Sequence, residues 1–209
     1  EICACLVGSE MCIRDRDVGC WHVPNRFFEE MRNAGIEVRS FLKVRFPLFT
    51  SRVNYRNHRK IVVIDGRIGF VGGMNLAERY MRGFSWGIWR DTHILIEGKA
   101  VHGLQTAFLL DWYFVDRTLI TASRYFPKIE SCGSSLVQVV TSEPIGPWKE
   151  IMQGLTMAIN GAKKYFYMQT PYFLPTEQVL AAMQTAALAG VDVRLMLPEP
   201  VSYTHLTLP

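Results

Sequence analysis

The stretch NHRKIVVIDGRIGFVGGMN, residues 57–75, constrains the fold more than any other part of the chain. Ile61 to Ile64 is a β-branched run, and Ile68 to Val71 is a second apolar run. Between them stands Asp65-Gly66, a dipeptide that favours the positive φ angles of a tight hairpin turn. The stretch therefore predicts an antiparallel hairpin inside a sheet. Its apolar middle predicts burial on both faces, as in a central strand covered by helices. With Asp65-Gly66 as a two-residue turn, Ile64 faces Arg67. Counting back, Lys60 faces Val71, Arg59 faces Gly72 and His58 faces Gly73. His58 and Gly73 are then expected as cross-strand neighbours, with Cα atoms roughly 4.5–5.5 Å apart.

The hairpin is apolar in the middle and polar at its open end. Strand side chains alternate, so His58 and Lys60 share a face, about 7 Å apart. Asn75 follows the second strand near the same place. Gly72 and Gly73 carry no side chains and would let a bulky anion approach the backbone. An imidazole can attack phosphorus and form a covalent intermediate. Lysine and asparagine can hold non-bridging oxygens as charge develops. A carboxylate such as Asp65 can fix a histidine's tautomer. These residue types together suit phosphodiester cleavage or exchange without a metal or cofactor.

Helical and strand patterns alternate along the rest of the chain, which predicts a layered α/β sheet. Residues 24–34 read as a helix with Phe27, Phe28 and Met31 on one face, followed by the strand IEVRSFL. Residues 76–81 read as a short helix, THILIEG as a strand and residues 100–114 as an amphipathic helix. SCGSS, residues 131–135, reads as a linker. A second α/β unit follows: strand LVQVVTS, helix 148–160, strand KYFYMQT, helix 177–189 and strand VDVRLML. AGIEVR (34–39) and AGVDVR (189–194) repeat one joint, in which glycine ends a helix before a strand. Gln169, Thr170 and Tyr172 sit where a strand gives way to a helix, the edge at which α/β sheets bind ligands. They are candidates to line a substrate site; an ordinary connecting loop is the alternative.

The two ends have a different character. MCIRD, residues 11–15, and VSYTH, residues 201–205, are what one DNA element encodes when read on its two strands. The element resembles a transposon-end sequencing adapter. Residues 1–16 and 201–209 are accordingly expected to be non-native tails that contribute little to the core. The expected organisation is a first half over 17–130, the linker 131–135 and the start of a second half over 136–200.

The net charge of +4 suits a phosphate-bearing partner, but the chain lacks the dense Lys/Arg runs of a nucleic-acid binder. Three of the five cysteines (Cys3, Cys5, Cys12) fall in the first tail; Cys20 and Cys132 remain, which gives neither a disulfide framework nor a metal spacing. Phe46, Phe49, Phe84, Trp86 and Trp89 could form an interfacial aromatic belt, with loop or core packing as the alternative for each. Arg90 and Asp91 read as a loop-positioning ion pair. His93 reads as structural, and His22 and His102 carry no partner pattern.

His58, Lys60, Asp65, Gly72 and Asn75 together match H-x-K-x4-D-x6-G-x2-N, the signature of the phospholipase D superfamily. With WRDTHILIEG, DWYF and QTPYFLP, residues 17–200 resemble the bacterial cardiolipin synthase family. The resemblance implies a phospholipase D-like α/β/α sandwich of two similar halves, one nearly complete here and one truncated. Each half gives one H-x-K motif to a shared site. It implies transfer between two phosphatidylglycerols, giving cardiolipin and glycerol through a phosphohistidine. His58 would be nucleophile or general acid, Lys60 and Asn75 would bind phosphate, and Asp65 would support a catalytic histidine. The parent is expected in the bacterial cell membrane, with its catalytic domain on the cytoplasmic side. No second H-x-K occurs in this chain, which makes the missing second half an expected partner. A phospholipid hydrolase or nuclease of the same superfamily is one alternative. A non-catalytic phosphate- or lipid-binding half-domain is another.

Overall fold

The computed structural model describes residues 2–7, 10–16, 23–41, 58–76, 78–83, 87, 90–143, 146–171 and 173–197, with backbone alone for 2–7, 10–16, 40, 41 and 79. His22, Phe46, Phe49, Phe84, Trp86, Trp89, Tyr172 and residues 201–209 lie outside the described residues. The chain divides into two units, residues 1–139 and 140–209.

In chain order the first unit holds β1 (Ile2–Val7), β2 (Glu10–Arg16), α1 (Asn25–Asn33), β3 (Glu37–Phe41), β4 (Ile61–Ile64), β5 (Ile68–Gly72), α2 (Arg79–Arg82), β6 (His93–Glu97) and α3 (Val101–Asp116). Its six strands form one sheet in the order β3-β2-β1-β4-β5-β6. β1 runs parallel to β4 and β2 parallel to β3, while the β1–β2, β4–β5 and β5–β6 pairs are antiparallel. Residues 1–16 are expected to contribute little to the core; the backbone of residues 2–7 and 10–16 nevertheless fills two places in the sheet. A β ladder is made by main-chain groups, so this placement concerns the backbone and says nothing of the segment's origin.

Helix α3 supplies one layer. Val101, Leu104, Ala107, Phe108 and Trp112 recur at helical spacing and pack with Ile61, Val63 and Tyr125 into the buried core of the unit. Ile61 and Val63 of β4 thus face the helix, as does Arg59 just ahead of the strand. On β5, Gly69 lets α3 come close, since a Cβ there would lie 2.7 Å from Leu104 Cδ1. Strand β3 identifies the opposite layer by alternation. Arg39 pairs with Asp116 of α3, whereas the neighbouring Val38 is buried against Phe28, Met31 and Ile36 on the α1 side. Helices therefore lie on both faces of the sheet, giving the α/β/α layering. Phe27 is not part of this contact; it is exposed and meets Phe28 edge-on.

The second face is only partly covered. Over β4 to β6 it carries Val62, Ile64 and Phe70, which are half-buried, and Leu95, which is 54% exposed. The hairpin is thus buried on the α3 side alone among the described residues, a correction to the two-sided burial predicted from its apolar run.

The second unit contains α4 (Glu150–Gly161), β7 (Tyr165–Gln169), α5 (Glu177–Leu188) and β8 (Asp192–Met196). β7 and β8 are parallel, as a strand–helix–strand crossover requires. Ile159, Val179, Ala182, Met183, Ala186 and Val191 form the core. Thr176 caps α5 by accepting from the Val179 N–H at 3.4 Å. The segment 136–142, expected as a strand, has no ladder partner among the described residues. Of its apolar residues Val139 packs onto Gly103 of α3 and joins the first core, while Leu136, Val137 and Val140 are exposed.

The repeated joint is present in both units. Gly35 (φ 82°) and Gly190 (φ 88°) follow their helices in the left-handed region. Ile36 N–H donates to Met31 C=O and Val191 N–H to Ala186 C=O, both at 3.0 Å, the 6→1 bond of a Schellman cap.

Candidate functional site

The hairpin turn forms as its residues predict, but the ladder beyond it does not. Asp65 (φ 52°) and Gly66 (φ 65°) are both left-handed, and Arg67 N–H donates to Ile64 C=O at 2.9 Å. Ile64 nevertheless pairs with Ile68, and Ile61 with Val71. Arg67 is an extra residue between turn and ladder, in the manner of a bulge. The register is therefore shifted by one from the sequence expectation. Continuing it, Lys60 stands level with Gly72, and His58 is not the cross-strand partner of Gly73.

The spaces beside the two glycines are already occupied. A Cβ on Gly72 would come within 2.5 Å of Thr92 C=O and 2.7 Å of His93 Cα and Nδ1. A Cβ on Gly73 would collide with the carboxylate of Asp91. Gly73 N–H donates to Thr92 C=O at 3.0 Å, and Gly72 pairs with His93. The glycines thus admit the start of β6, where the sequence reading had placed a phosphate. Asp91 and His93 are the neighbours that sequence reasoning missed. Their signal was the glycine pair itself, which needed a close partner.

His58 is exposed and Lys60 is half-buried, both just ahead of β4. Arg59 between them turns to α3, where its Nη1 donates to Asp111 Oδ1 at 2.5 Å. By alternation His58 and Lys60 stand on the other face, the one that also carries Gly72 and His93. His58, Lys60, Gly72 and Asn75 of the motif lie at the end of the sheet formed by the start of β4, the end of β5 and the start of β6.

Asn75 lies just beyond β5 and is 7% exposed. Its Nδ2 donates to the Tyr80 hydroxyl at 2.9 Å, while its Oδ1 is buried without a partner among the described residues. Tyr80, on α2, therefore orients the amide.

Asp65 is not part of this group. It sits exposed at the hairpin tip, with β4 between it and His58. Seven residues of extended chain separate them by roughly 20 Å, so its expected support of a histidine does not apply to His58 within this chain. In the second unit Gln169 ends β7 exposed, and Thr170 N–H donates to Met196 C=O at 3.2 Å.

The electrostatics of the edge centre on His93. Burial lowers its pKa from the ordinary value of 6.5, and the nearby Asp91 carboxylate opposes part of that shift. Its Nδ1 is buried with no hydrogen-bond partner among the described residues. The imidazole is therefore held mostly neutral at pH 7. Asp91 accepts from the Thr92 N–H at 2.7 Å, which fixes its carboxylate beside Gly73. An imidazole, an ammonium and an amide gathered at one edge can engage an anionic oxygen group and offer a nitrogen nucleophile to it.

Comparison with known proteins agrees with the motif. The family described as "Cardiolipin synthase, PLD-like domain" matches residues 11–112 and 155–206. The chain is 43% identical over 185 residues to a cardiolipin synthase of Geobacillus thermodenitrificans, covering 87% of this chain and 37% of the relative. It is 43% identical over 176 residues to one of Listeria innocua, covering 83% and 36%. Against cardiolipin synthase 2 of Bacillus cereus the identity is 41% over 185 residues, covering 87% and 36%. The chain therefore spans little more than a third of the length of these relatives. With four of the five motif residues at one end of the sheet and a family match in both units, the chain belongs to the PLD-like cardiolipin synthase family.

Proposed function

We propose that this chain carries one of the two H-x-K motifs of a phosphatidyltransferase that joins two phosphatidylglycerols into cardiolipin and glycerol. The observation that supports this reading is the placement of His58 and Lys60 just ahead of β4, at the end of the sheet where Asn75 follows β5. In the first half-reaction a histidine nitrogen bonds to phosphorus and the P–O bond to glycerol breaks. The departing alkoxide takes a proton from the acid of the other motif. In the second half-reaction a hydroxyl of another phosphatidylglycerol attacks phosphorus. The P–N bond breaks, and the second histidine accepts the hydroxyl proton. His58 serves as nucleophile, or as the acid if the halves exchange roles. Lys60 and Asn75 hold the non-bridging oxygens. Gln169 and Thr170 are proposed to border the lipid.

The substrate is an anionic lipid, so the working place of the parent protein is a bacterial membrane surface, with the catalytic domain on the cytoplasmic side. No helix among the described residues is long and apolar enough to cross a membrane. The tail reading of residues 1–16 and 201–209 and the truncated second half belong to the same proposal. The sequence holds a single H-x-K, and general acid–base help is worth about 10²–10⁴ in rate. The chain alone is therefore proposed not to turn over.

The test incubates the purified chain with labelled phosphatidylglycerol, alone and with the separately made remainder of a cardiolipin synthase relative. Cardiolipin is expected only from the mixture and is lost with His58→Ala. Robust synthesis by the chain alone refutes the claimed incompetence. Release of phosphatidic acid in place of cardiolipin makes water the acceptor and the protein a hydrolase.

A further inference from the structure

We propose that the Arg59–Asp111 ion pair is a positioning device that fixes the face on which His58 and Lys60 stand. The inference rests on the phosphate-handling reading of that edge and names a residue pair that the reading leaves unused.

The last rung of the β4–β5 ladder is Ile61–Val71. Residues 58–60 lie beyond it, so strand pairing no longer dictates which way their side chains turn. Arg59 is the residue between His58 and Lys60, and its guanidinium reaches Asp111 on α3 at 2.5 Å. The Arg59 and Asp111 side chains are only 23% and 10% exposed, respectively. Asp111 is held in turn by its helix, whose Phe108 and Trp112 are fully buried in the core.

A charged pair shielded from water is stronger than a surface pair, and a fork-shaped guanidinium adds direction to it. With Arg59 held toward α3, the two-residue period of an extended chain turns His58 and Lys60 away from the helix. A device of this kind acts through geometry. Displacement of a reacting group by about 1 Å can cost on the order of 10² in rate.

Asp111→Asn separates positioning from simple electrostatics. It removes a negative charge close to the site, so electrostatics alone predict tighter binding of an anion. Loss of positioning predicts weaker binding. The experiment follows the His58 ring resonances of the whole 209-residue chain by NMR while inorganic phosphate is added. The wild-type chain is expected to show a saturable shift of His58. Asp111→Asn and Arg59→Met are expected to raise the phosphate Kd about tenfold or more. Arg59→Lys, which keeps the charge without the fork, is expected between them and wild type. Asp116→Asn breaks the other strand-to-helix pair of α3 and is expected to lower the melting temperature without changing phosphate affinity.

Wild-type or tighter affinity in Asp111→Asn overturns the proposal. Should Asp111→Asn and Arg59→Met fail to fold, an unchanged Kd in Arg59→Lys overturns it in their place. A wild-type chain whose His58 does not respond to phosphate overturns the reading of the edge itself, and the positioning role with it. A wild-type response left unchanged by the variants sinks the positioning role alone.

Discussion

The carboxylate of Asp91 occupies the space that a side chain at Gly73 would need. At Gly72 the obstacle is of another kind, the backbone of Thr92 and His93. The two glycines should therefore respond differently to alanine. In Gly73→Ala a carboxylate can rotate away, and the loss of stability is expected to be about 1 kcal/mol. In Gly72→Ala a β strand must move, and the expected loss is about 3 kcal/mol. Urea denaturation of both variants checks the order. A Gly73→Ala variant that proves the less stable would show that Asp91 cannot move.

A pH-dependent component of stability follows from His93. Its folded pKa lies below the ordinary 6.5 because burial disfavours the charged ring. The unfolded chain therefore binds a proton at higher pH than the folded one. Stability from this group is complete above 6.5 and falls as pH drops through 6.5 toward the folded value. His93→Gln should flatten that part of the stability profile. Asp91→Asn removes the carboxylate that opposes the shift, so in that variant the fall should extend to lower pH. Chemical denaturation at half-unit steps from pH 8 to 5 measures both.

Asp116 works in a more acidic window. The hydrogen bond from Arg39 is the main cause that holds its carboxyl below the ordinary 3.8. Its contribution is present above about pH 4 and is lost as pH falls through the folded value. Arg39 is 37% exposed on its side chain, so solvent screens the pair. Asp116→Asn should then cost only about 1 kcal/mol at pH 7 and reduce the slope of acid unfolding below pH 4. An unchanged acid limb in the variant would remove the pair from the stability argument.

What the sequence made legible was local. The hairpin, the helix-ending glycines 35 and 190 and the α/β alternation each rest on neighbouring residues, and each is found where the pattern put it. The register was lost because Asp65-Gly66 specifies the turn but carries no mark of the extra residue, Arg67, behind it. The filling of Gly72 and Gly73 was hidden because Asp91 and His93 come from a different part of the chain, at and just before the start of β6. The Arg59–Asp111 pair spans 52 positions, which no spacing rule addresses. LVQVV reads as a strand from its valines but has no ladder partner among the described residues; Val139 packs against the α3 core, while Leu136, Val137 and Val140 are exposed.

The last prediction concerns residues 1–16. β3 pairs with β2, and β4 pairs with β1. Deleting the segment opens a gap of three strand spacings, about 14 Å, between β3 and β4. Among the described residues, helix α3, through Arg39–Asp116 and Arg59–Asp111, is what still links the two strands across it. Backbone groups of β3 and β4 would lose their partners, and each lost rung is worth about 1 kcal/mol. Deletion is therefore expected to lower the melting temperature by at least several degrees, at about 2–4 °C per kcal/mol for a chain of this size. If the segment is a tail of foreign origin, its side chains were never selected to pack. Replacing them with an alternating Thr/Val sequence of equal length should then leave the melting temperature within about 2 °C. The two measurements separate the backbone from the side chains. A large loss in both variants would mean that residues 1–16 carry specific packing and that their non-native reading is wrong. No loss on deletion would mean that the sheet does not depend on these two strands.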